Sequence, residues 1–229
     1  MRLRRARSRR VSGPLDWSLS RPARGLRNDL QELILFPLVR TFARIEVRGR
    51  RALENVEGPL VLVSNHTSHF DCPLILASLP HRIRHRTIVA AAADYFYKIQ
   101  ALGMLTSLAL GTVPFERGAG SRESLDRLKE GLRRGWSVLI FPEGTRSPTG
   151  EMGRFKVGAA YLSIDTKTAA LPIHIGGARD IMPKGAFLPK PGRVSITFGQ
   201  PVGPRPSESY DDFTQRLRDE VSSLPTMDG

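Results

Sequence analysis

Two features of the sequence predict an α/β fold with a largely parallel mixed sheet that is covered by helices on both faces. From residue 58 onward, short apolar runs alternate with helical patterns, which is typical of strands joined by crossover helices. The chain has 229 residues, 40% of them hydrophobic, so it can bury the core of one full domain. In sheets of this kind, functional residues gather in loops at the carboxyl ends of the strands.

Six segments are predicted to be strands because each is short, apolar and rich in β-branched residues. They are residues 59–64, 87–92, 112–115, 137–141, 171–175 and 194–198.

Five helices are predicted between and after these strands, at residues 68–79, 95–108, 121–135, 155–165 and 210–224. The clearest is 121–135, where Leu125, Leu128 and Leu132 fall on one face. Ser121 suits the N-cap of this helix and Gly135 its C-cap.

The N-terminus divides into two parts before the domain begins. Residues 1–28 contain nine arginines and one acid, +8 of the net charge of +13, and are predicted to form a disordered arm. Such an arm suits an anionic membrane surface, while a solvated tail or non-specific RNA binding is the alternative. Residues 29–47 are predicted to form an amphipathic helix, kinked or restarted at Pro37, that lies on a membrane or packs on the core.

Composition excludes several classes of protein. The net charge of +13 indicates an anionic partner, whether nucleic acid, membrane or phosphorylated substrate. The only cysteine, Cys72, rules out an intrachain disulfide framework and a cysteine-type zinc site. No run approaches the ~18 apolar residues of a membrane span, and the basic N-terminus lacks the apolar region of a secretory signal. We therefore expect an intracellular protein that does not cross the bilayer.

The strand predicted at 59–64 leads into the segment NHTSHFD, residues 65–71. A histidine followed by a carboxylate can act as a general base, because the carboxylate fixes the imidazole tautomer and stabilises its cation. This requires His66 in the turn and Asp71 in the first helical turn, since five residues of continuous helix rotate side chains about 140° apart. The spacing also fits a capping box between Ser68 and Asp71 that involves no catalysis.

A second motif, FPEGTRS, residues 141–147, follows the strand predicted at 137–141. On this Pro/Gly turn, backbone amides and the guanidinium of Arg146 can converge on an anion. The alternative is a surface turn with a local pair between Glu143 and Arg146. Two more motifs are GTVPFER, residues 111–117, which places Arg117 at a strand end, and LPIHI, residues 171–175.

In this order and at these separations, the four segments resemble the motifs of glycerolipid acyltransferases of the lysophosphatidic acid acyltransferase type, marked by His-x4-Asp. The resemblance covers roughly residues 45–200. It implies a glycerol-3-phosphate acyltransferase-like fold and an acyltransferase domain at 48–229. His-x4-Asp alone is a weak signal, whereas its combination with an intact FPEGTRS is specific.

The resemblance also implies residue roles. His66 removes the proton from an acceptor hydroxyl that attacks the thioester carbonyl of an acyl donor, and Asp71 orients His66. No covalent intermediate and no metal or other cofactor is implied, so Cys72 is expected to be a small buried residue. The positions that match binding of the acceptor's phosphate-glycerol part are Arg117, Glu143, Gly144, Thr145 and Arg146.

Three other features remain open. His69 could replace His66 as base, although a satisfied or solvated histidine is commoner. The basic run at 81–86 could contact phosphates of the donor or an acidic carrier protein, or be solvated surface. The apolar stretch at 101–110 could line an acyl groove, meet lipid or lie in the core.

The expected function is therefore an O-acyltransferase that moves a fatty acyl group from acyl-CoA or acyl-carrier protein to a lysophospholipid hydroxyl. The expected acceptor is 1-acylglycerol 3-phosphate and the product phosphatidate; no nucleic acid partner is expected. The alternatives are another acceptor (glycerol 3-phosphate, another lysophospholipid or a glycolipid) or a non-catalytic membrane- or RNA-binding protein. The expected location is cytoplasmic, peripheral on the inner face of the cell membrane, with an anionic membrane surface as partner.

Overall fold

A mixed sheet organises the part of the chain that this computed structural model describes, residues 19–92, 108–115, 121–183, 185–186 and 188–226. Its strands lie in the order β1-β7-β6-β2-β5-β3-β4, and all neighbours are parallel except the antiparallel pair β6 and β7. The strands are β1 Ala43–Arg48, β2 Val61–Ser64, β3 Thr87–Ala92, β4 Thr112–Phe115, β5 Ser137–Ile140, β6 Ala170–Gly176 and β7 Gly192–Phe198. The predicted fold class is confirmed, and all six predicted strands are present.

The helices follow the predicted alternation, with additions. Three pieces run on without a break at the N-terminus: α1 Arg21–Leu30, a π-helical turn Gln31–Leu35 and α2 Phe36–Phe42, together called the N-terminal helix. The others are α3 Asp71–Ser78, α4 His81–Arg84, α5 Ser121–Arg133, α6 Gly158–Thr166, α7 Ala178–Ile181 and α8 Tyr210–Ser222, with a 3-10 turn at Arg50–Leu53. The helix predicted at 95–108 lies outside the described residues up to 107.

Apolar side chains are buried on both faces of the sheet, as a sheet covered on both sides requires. One face packs against the N-terminal helix and α3, through Phe36, Val39, Leu74, Ile75 and Leu76. The other face packs against α5, α6 and α8, through Leu128, Leu132, Leu162, Phe213 and Leu217.

Strand direction brings distant segments to one edge of the sheet. Since β7 is antiparallel to β6 and parallel to β1, the strands β1 and β7 run opposite to the other five. Their amino ends therefore lie at the edge where β2, β5 and β6 have their carboxyl ends, which we call the carboxyl edge. The end of the N-terminal helix and the loops carrying the sequence motifs meet there.

The structure corrects two predicted boundaries at the N-terminus. The helix begins at Arg21, not at 29, because Ala23 and Arg27 are buried and Ser20 Oγ accepts a hydrogen bond from Ala23 N. It ends at Phe42, and the predicted helical residues 43–47 belong to β1, where pairing with β7 overrides the helical pattern. The remainder of the predicted disordered arm, residues 1–18, lies outside the described residues.

One face of the N-terminal helix is fixed to the domain by polar contacts. Arg27 Nε donates to Leu108 O at 3.0 Å, and Gln31 Nε2 donates to Ala109 O at 2.7 Å. Glu32 forms an ion pair with Arg84. This face of the helix therefore packs on the core, which was one of the two predicted alternatives.

The opposite face of the N-terminal helix is exposed and apolar. Its side chains recur at helical spacing: Leu26, Leu33, Ile34 and Leu38, which we call the leucine stripe. Leu33 is 76% exposed. No helix among the described residues combines the length and the apolar content needed to span a bilayer.

Candidate functional site

His66 and Asp71 meet at the carboxyl edge, in the loop between β2 and α3. His66 follows β2 by two residues, and Asp71 is the first residue of α3, the placement that their pairing requires. His66 Nδ1 lies 2.8 Å from Asp71 Oδ2. Since an ionised carboxylate can only accept, Nδ1 carries the proton and Nε2 of the neutral ring keeps its lone pair. The side chain of His66 is 22% exposed.

Asp71 is held more firmly than the pairing alone demands. Its carboxylate is fully buried, and Oδ2 also accepts hydrogen bonds from Thr67 N at 2.6 Å and Ser68 N at 2.8 Å. Backbone donors of this kind fix the orientation of the carboxylate. The carboxylate is thereby preorganised toward His66.

The capping-box alternative holds only in part. Asp71 does accept from Ser68 N, as the acidic member of such a box would. Ser68 is not the N-cap, because Phe70 is the residue directly before α3. The hydroxyl of Ser68 donates instead to Met182 O at 2.8 Å. The carboxylate therefore serves the turn and the histidine together.

The FPEGTRS loop clamps His66 from the other side. Glu143 Oε1 accepts from His66 N at 2.7 Å, and Ser147 N donates to His66 O at 2.8 Å. The ring of Phe141 stacks on the imidazole, with centroids 4.2 Å apart and planes at 22°. Both backbone groups and one ring face of His66 are thus fixed.

Glu143 faces the protein backbone through both of its carboxylate oxygens. It is 8% exposed, and its second oxygen, Oε2, accepts from Gly153 N at 2.9 Å. With each carboxylate oxygen accepting from an amide, Glu143 joins the loop that carries His66 to the segment before α6.

Replacing Glu143 by glutamine is expected to lower kcat about 10-fold and leave KM for the acceptor unchanged. The amide can accept only one of the two backbone bonds, and an unpaired buried donor costs ~1–3 kcal/mol. Steady-state kinetics check this, with the exposed Glu151→Gln as matched control. If KM for the acceptor rose while kcat stayed constant, Glu143 would be assigned to the acceptor site.

The rest of the loop presents cationic groups beside the histidine. Gly144 has φ +70°, a conformation that glycine adopts without strain, and a Cβ added there would lie 2.8 Å from Lys156 Nζ. Thr145 is exposed on the turn, and Arg146 is half-buried. Lys156 is joined to the same turn by its backbone, since Lys156 N donates to Pro142 O at 2.9 Å.

His69 lies close to this charge. Burial, followed by the positive charge of Arg146, lowers the pKa of His69 to about 4. A neutral histidine with so low a pKa is a poor proton acceptor at neutral pH. The geometry therefore favours His66 as the base.

Two predicted features lie partly or wholly outside the described residues. Arg117 belongs to the undescribed segment 116–120, just after β4. Of the stretch 101–110, only 108–110 is described, and these residues are half-buried against the N-terminal helix. Among the described residues, no group of three or more His, Cys, Asp and Glu side chains could hold a metal ion.

Several site residues were missed by sequence reasoning. Asn65 holds the catalytic loop to β6, because its side chain donates to Ile175 O at 2.9 Å and accepts from Ile175 N at 2.8 Å. Asn65 is the first residue of the segment NHTSHFD, and its position directly before His66 was the available signal. Gly153 and Lys156 lie beyond the motifs, and only the fold of the 141–157 segment brings them to the site.

Comparisons with known proteins find a matching family and several relatives. The family described as Acyltransferase matches residues 44–176. A chloroplastic 1-acyl-sn-glycerol-3-phosphate acyltransferase, LPAT1 of Arabidopsis thaliana, is 33% identical over 165 residues, covering 70% of this chain and 44% of its own. A 1-acyl-sn-glycerol-3-phosphate acyltransferase of Pseudomonas aeruginosa is 30% identical over 164 residues, covering 68% of this chain and 58% of its own. This chain spans about half the length of the curated relatives it matches.

A solved structure shows the same fold. The crystal structure of the 1-acyl-sn-glycerophosphate (LPA) acyltransferase PlsC from Thermotoga maritima superposes with a TM-score of 0.64 at 24% identity. The match covers 86% of this chain and 80% of that one.

Proposed function

Because the chain belongs to the acyltransferase family, we propose that it moves a fatty acyl group from an acyl thioester to the hydroxyl of a lysophospholipid. The observation that carries this proposal is the 2.8 Å contact of His66 Nδ1 with Asp71, in a loop clamped beside cationic side chains. The acceptor we propose is 1-acylglycerol 3-phosphate, the acceptor in the names of the relatives, which would give phosphatidate.

The geometry supports a direct transfer. Nε2 of His66 takes the proton of the acceptor hydroxyl as its oxygen bonds to the thioester carbonyl carbon. The resulting imidazolium is stabilised by Asp71. Collapse of the tetrahedral intermediate breaks the carbon–sulfur bond, and the leaving thiolate takes the proton back from His66. All atoms and charges then balance without a covalent enzyme intermediate.

Cys72 has no part in this transfer, although it adjoins Asp71. Its side chain is buried, and burial together with the charge of Asp71 raises the pKa of the thiol. A thiol held protonated away from solvent is a poor nucleophile.

For the acceptor's phosphate we propose the cations around the FPEGTRS turn, Arg146 and Lys156, with Gly144 and Thr145 shaping the turn and Arg117 contributing from the end of β4. Charge-assisted contacts to phosphate suit both a guanidinium and an ammonium. Lys156 forms no ion pair within the described part of the chain, so its charge is available to a substrate. Glu143 holds the turn rather than the phosphate.

Replacing Lys156 by alanine is expected to raise KM for 1-acylglycerol 3-phosphate about 10-fold and leave kcat nearly unchanged. The loss corresponds to one charge-assisted contact of ~1.5 kcal/mol. Steady-state kinetics check this, with Lys156→Arg restoring part of the affinity and the exposed Lys167→Ala as matched control. A KM unchanged by Lys156→Ala would remove this side chain from the phosphate site.

An acceptor panel tests the proposed substrate. The purified chain would be assayed with labelled acyl-CoA and with labelled acyl-carrier protein against four acceptors: 1-acylglycerol 3-phosphate, glycerol 3-phosphate, a choline lysophospholipid and a glycolipid. We expect labelled phosphatidate as the main product with one of the donors. Faster acylation of another acceptor would keep the reaction and change the substrate.

We also propose that the chain binds, as a peripheral protein, to the anionic surface on the inner face of the cell membrane. The leucine stripe supports this, because an exposed apolar stripe on an otherwise docked helix suits the membrane interface. Arg40 and Arg44 are exposed at the end of this helix, where anionic lipid would meet them. Phe42 contacts Phe70 of the catalytic loop, with ring centroids 6.4 Å apart. A bilayer under the stripe would therefore lie near His66.

A further inference from the structure

Outside the N-terminal helix, a highly exposed apolar side chain lies at the carboxyl edge. Leu188, in the segment between α7 and β7, is 80% exposed, more than any other large apolar side chain among the described residues. The neighbouring Lys190 is also exposed. We call the described residues of this segment, 182–183, 185–186 and 188–191, the Leu188 loop. An accessible leucine gains free energy when a membrane or another surface covers it.

The Leu188 loop is next to the end of the N-terminal helix. Ala43 pairs with Gly192, and Arg44 with Arg193, in the parallel ladder of β1 and β7. Neighbouring strands lie about 4.8 Å apart, so the residues that end the helix and the loop are side by side. Ser68 Oγ donates to Met182 O at 2.8 Å, which joins the loop to the segment that carries His66.

Two arginines mark the junction of helix and loop. Arg44 and Arg193 are exposed register partners, and paired residues of adjacent strands point to the same face. Glu46, the acid next to Arg44 on that face, pairs with Arg48 at 2.7 Å. In the described part of the chain, neither Arg44 nor Arg193 has an acidic partner. Like charges side by side repel each other, and an anion shared between them removes that repulsion.

We propose that the Leu188 loop is a second membrane-contact element, with Leu188 inserted into the bilayer interface and Arg44 and Arg193 on the phosphates of anionic phospholipids. This rests on the proposed binding to an anionic membrane and adds the orientation in which it occurs. Contact at the leucine stripe and at the loop fixes the carboxyl edge against the lipid surface. The acceptor then reaches His66 from the bilayer without crossing water.

A fluorophore placed at single positions tests this orientation. Cys72 is the only cysteine and is buried, so a cysteine introduced at the surface is labelled selectively, and the unmodified chain gives the background. An environment-sensitive dye would be attached to Leu188→Cys, to Leu38→Cys on the stripe and to Tyr210→Cys on α8. Vesicles of phosphatidylcholine with phosphatidylglycerol, and of phosphatidylcholine alone, would then be added.

With the anionic vesicles, we expect a blue shift at positions 188 and 38 and none at 210. A shift at 38 without one at 188 would overturn the inference and leave the proposed membrane binding intact. No shift at either position would overturn both. A shift of equal size at 210 would indicate binding without a fixed orientation, which also contradicts the inference.

Matched charge variants test the arginine pair. Arg193→Gln and Arg133→Gln remove the same charge, one at the carboxyl edge and one at the exposed end of α5. We expect Arg193→Gln to weaken binding to the anionic vesicles about fivefold and Arg133→Gln less than twofold. Both variants should turn over a detergent-dispersed acceptor at the rate of the unmodified chain. Equal weakening by the two would mean that only net charge matters, and Arg193 would lose its proposed role.

Discussion

Replacing His66 by alanine is expected to lower kcat about 10³-fold while the protein stays folded. General-base catalysis contributes ~10²–10⁴-fold, and His66 is the group whose Nε2 is free to take a proton at this site. The side chain is partly exposed, so its removal leaves a water-accessible gap rather than a buried cavity. Steady-state turnover checks the first expectation, and thermal unfolding checks the second.

A matched histidine variant keeps this test specific. His85, a half-buried histidine of the basic run at 81–86, stacks on His81 at a centroid distance of 5.0 Å and contacts no catalytic residue in the described part of the chain. His85→Ala should retain turnover. If His66→Ala retained it equally, the base would have to be assigned to another group.

Replacing Asp71 by asparagine is expected to lower kcat about 10²–10³-fold with little change in either KM. Asparagine is nearly isosteric, and its carbonyl oxygen can still accept from His66 Nδ1, Thr67 N and Ser68 N. What the variant loses is the negative charge that stabilises the imidazolium formed during proton transfer. A small loss of stability accompanies it, ~1–2 kcal/mol, because charge-assisted bonds become neutral ones.

Kinetics over a range of substrate concentrations separate the effect of Asp71→Asn on kcat from its effect on each KM. The control is Asp180→Asn, an exposed acid on α7, which removes the same charge without touching the pair. A variant that lost affinity and kept kcat would show that Asp71 shapes the acceptor site instead of supporting the base.

Much of the fold could be predicted because most of its strands are marked by the residues of the strand itself. Each of the six predicted runs is apolar enough to need cover on both faces, and each forms a strand. The missed strand β1 reads Ala-Arg-Ile-Glu-Val-Arg and follows the N-terminal helix without a turn residue. Its strand character comes from pairing with β7, far along the chain, and no local pattern could reveal that.

The same distinction separates the parts of the site. His66 and Asp71 were predictable because both lie within one short loop whose spacing permits their contact. The role of Glu143 was not, because its partners are the backbone amides of His66 and Gly153, which carry no side-chain signature. Likewise, Arg27 was counted as part of a charged arm, whereas it is buried against Leu108.

The leucine stripe is a further feature that the sequence pattern could not locate. Helical periodicity predicted an apolar face at 29–47 but could not say which apolar residues pack inward. Phe36 and Val39 are buried, whereas Leu33, Ile34 and Leu38 are exposed. The polar contacts of Gln31 and Glu32 decide this by fixing the rotation of the helix.

The central claim is that the chain transfers an acyl group to a lysophosphatidate hydroxyl, with His66, oriented by Asp71, as the general base. The most direct test incubates the purified chain with a labelled acyl thioester and 1-acylglycerol 3-phosphate, beside His66→Ala, and measures labelled phosphatidate. We predict phosphatidate from the unmodified chain, with free thiol released in equal amount, and about 10³-fold less from the variant. Two results would contradict the claim: equal rates of phosphatidate formation by the unmodified chain and the variant, or no phosphatidate from either with any acyl donor.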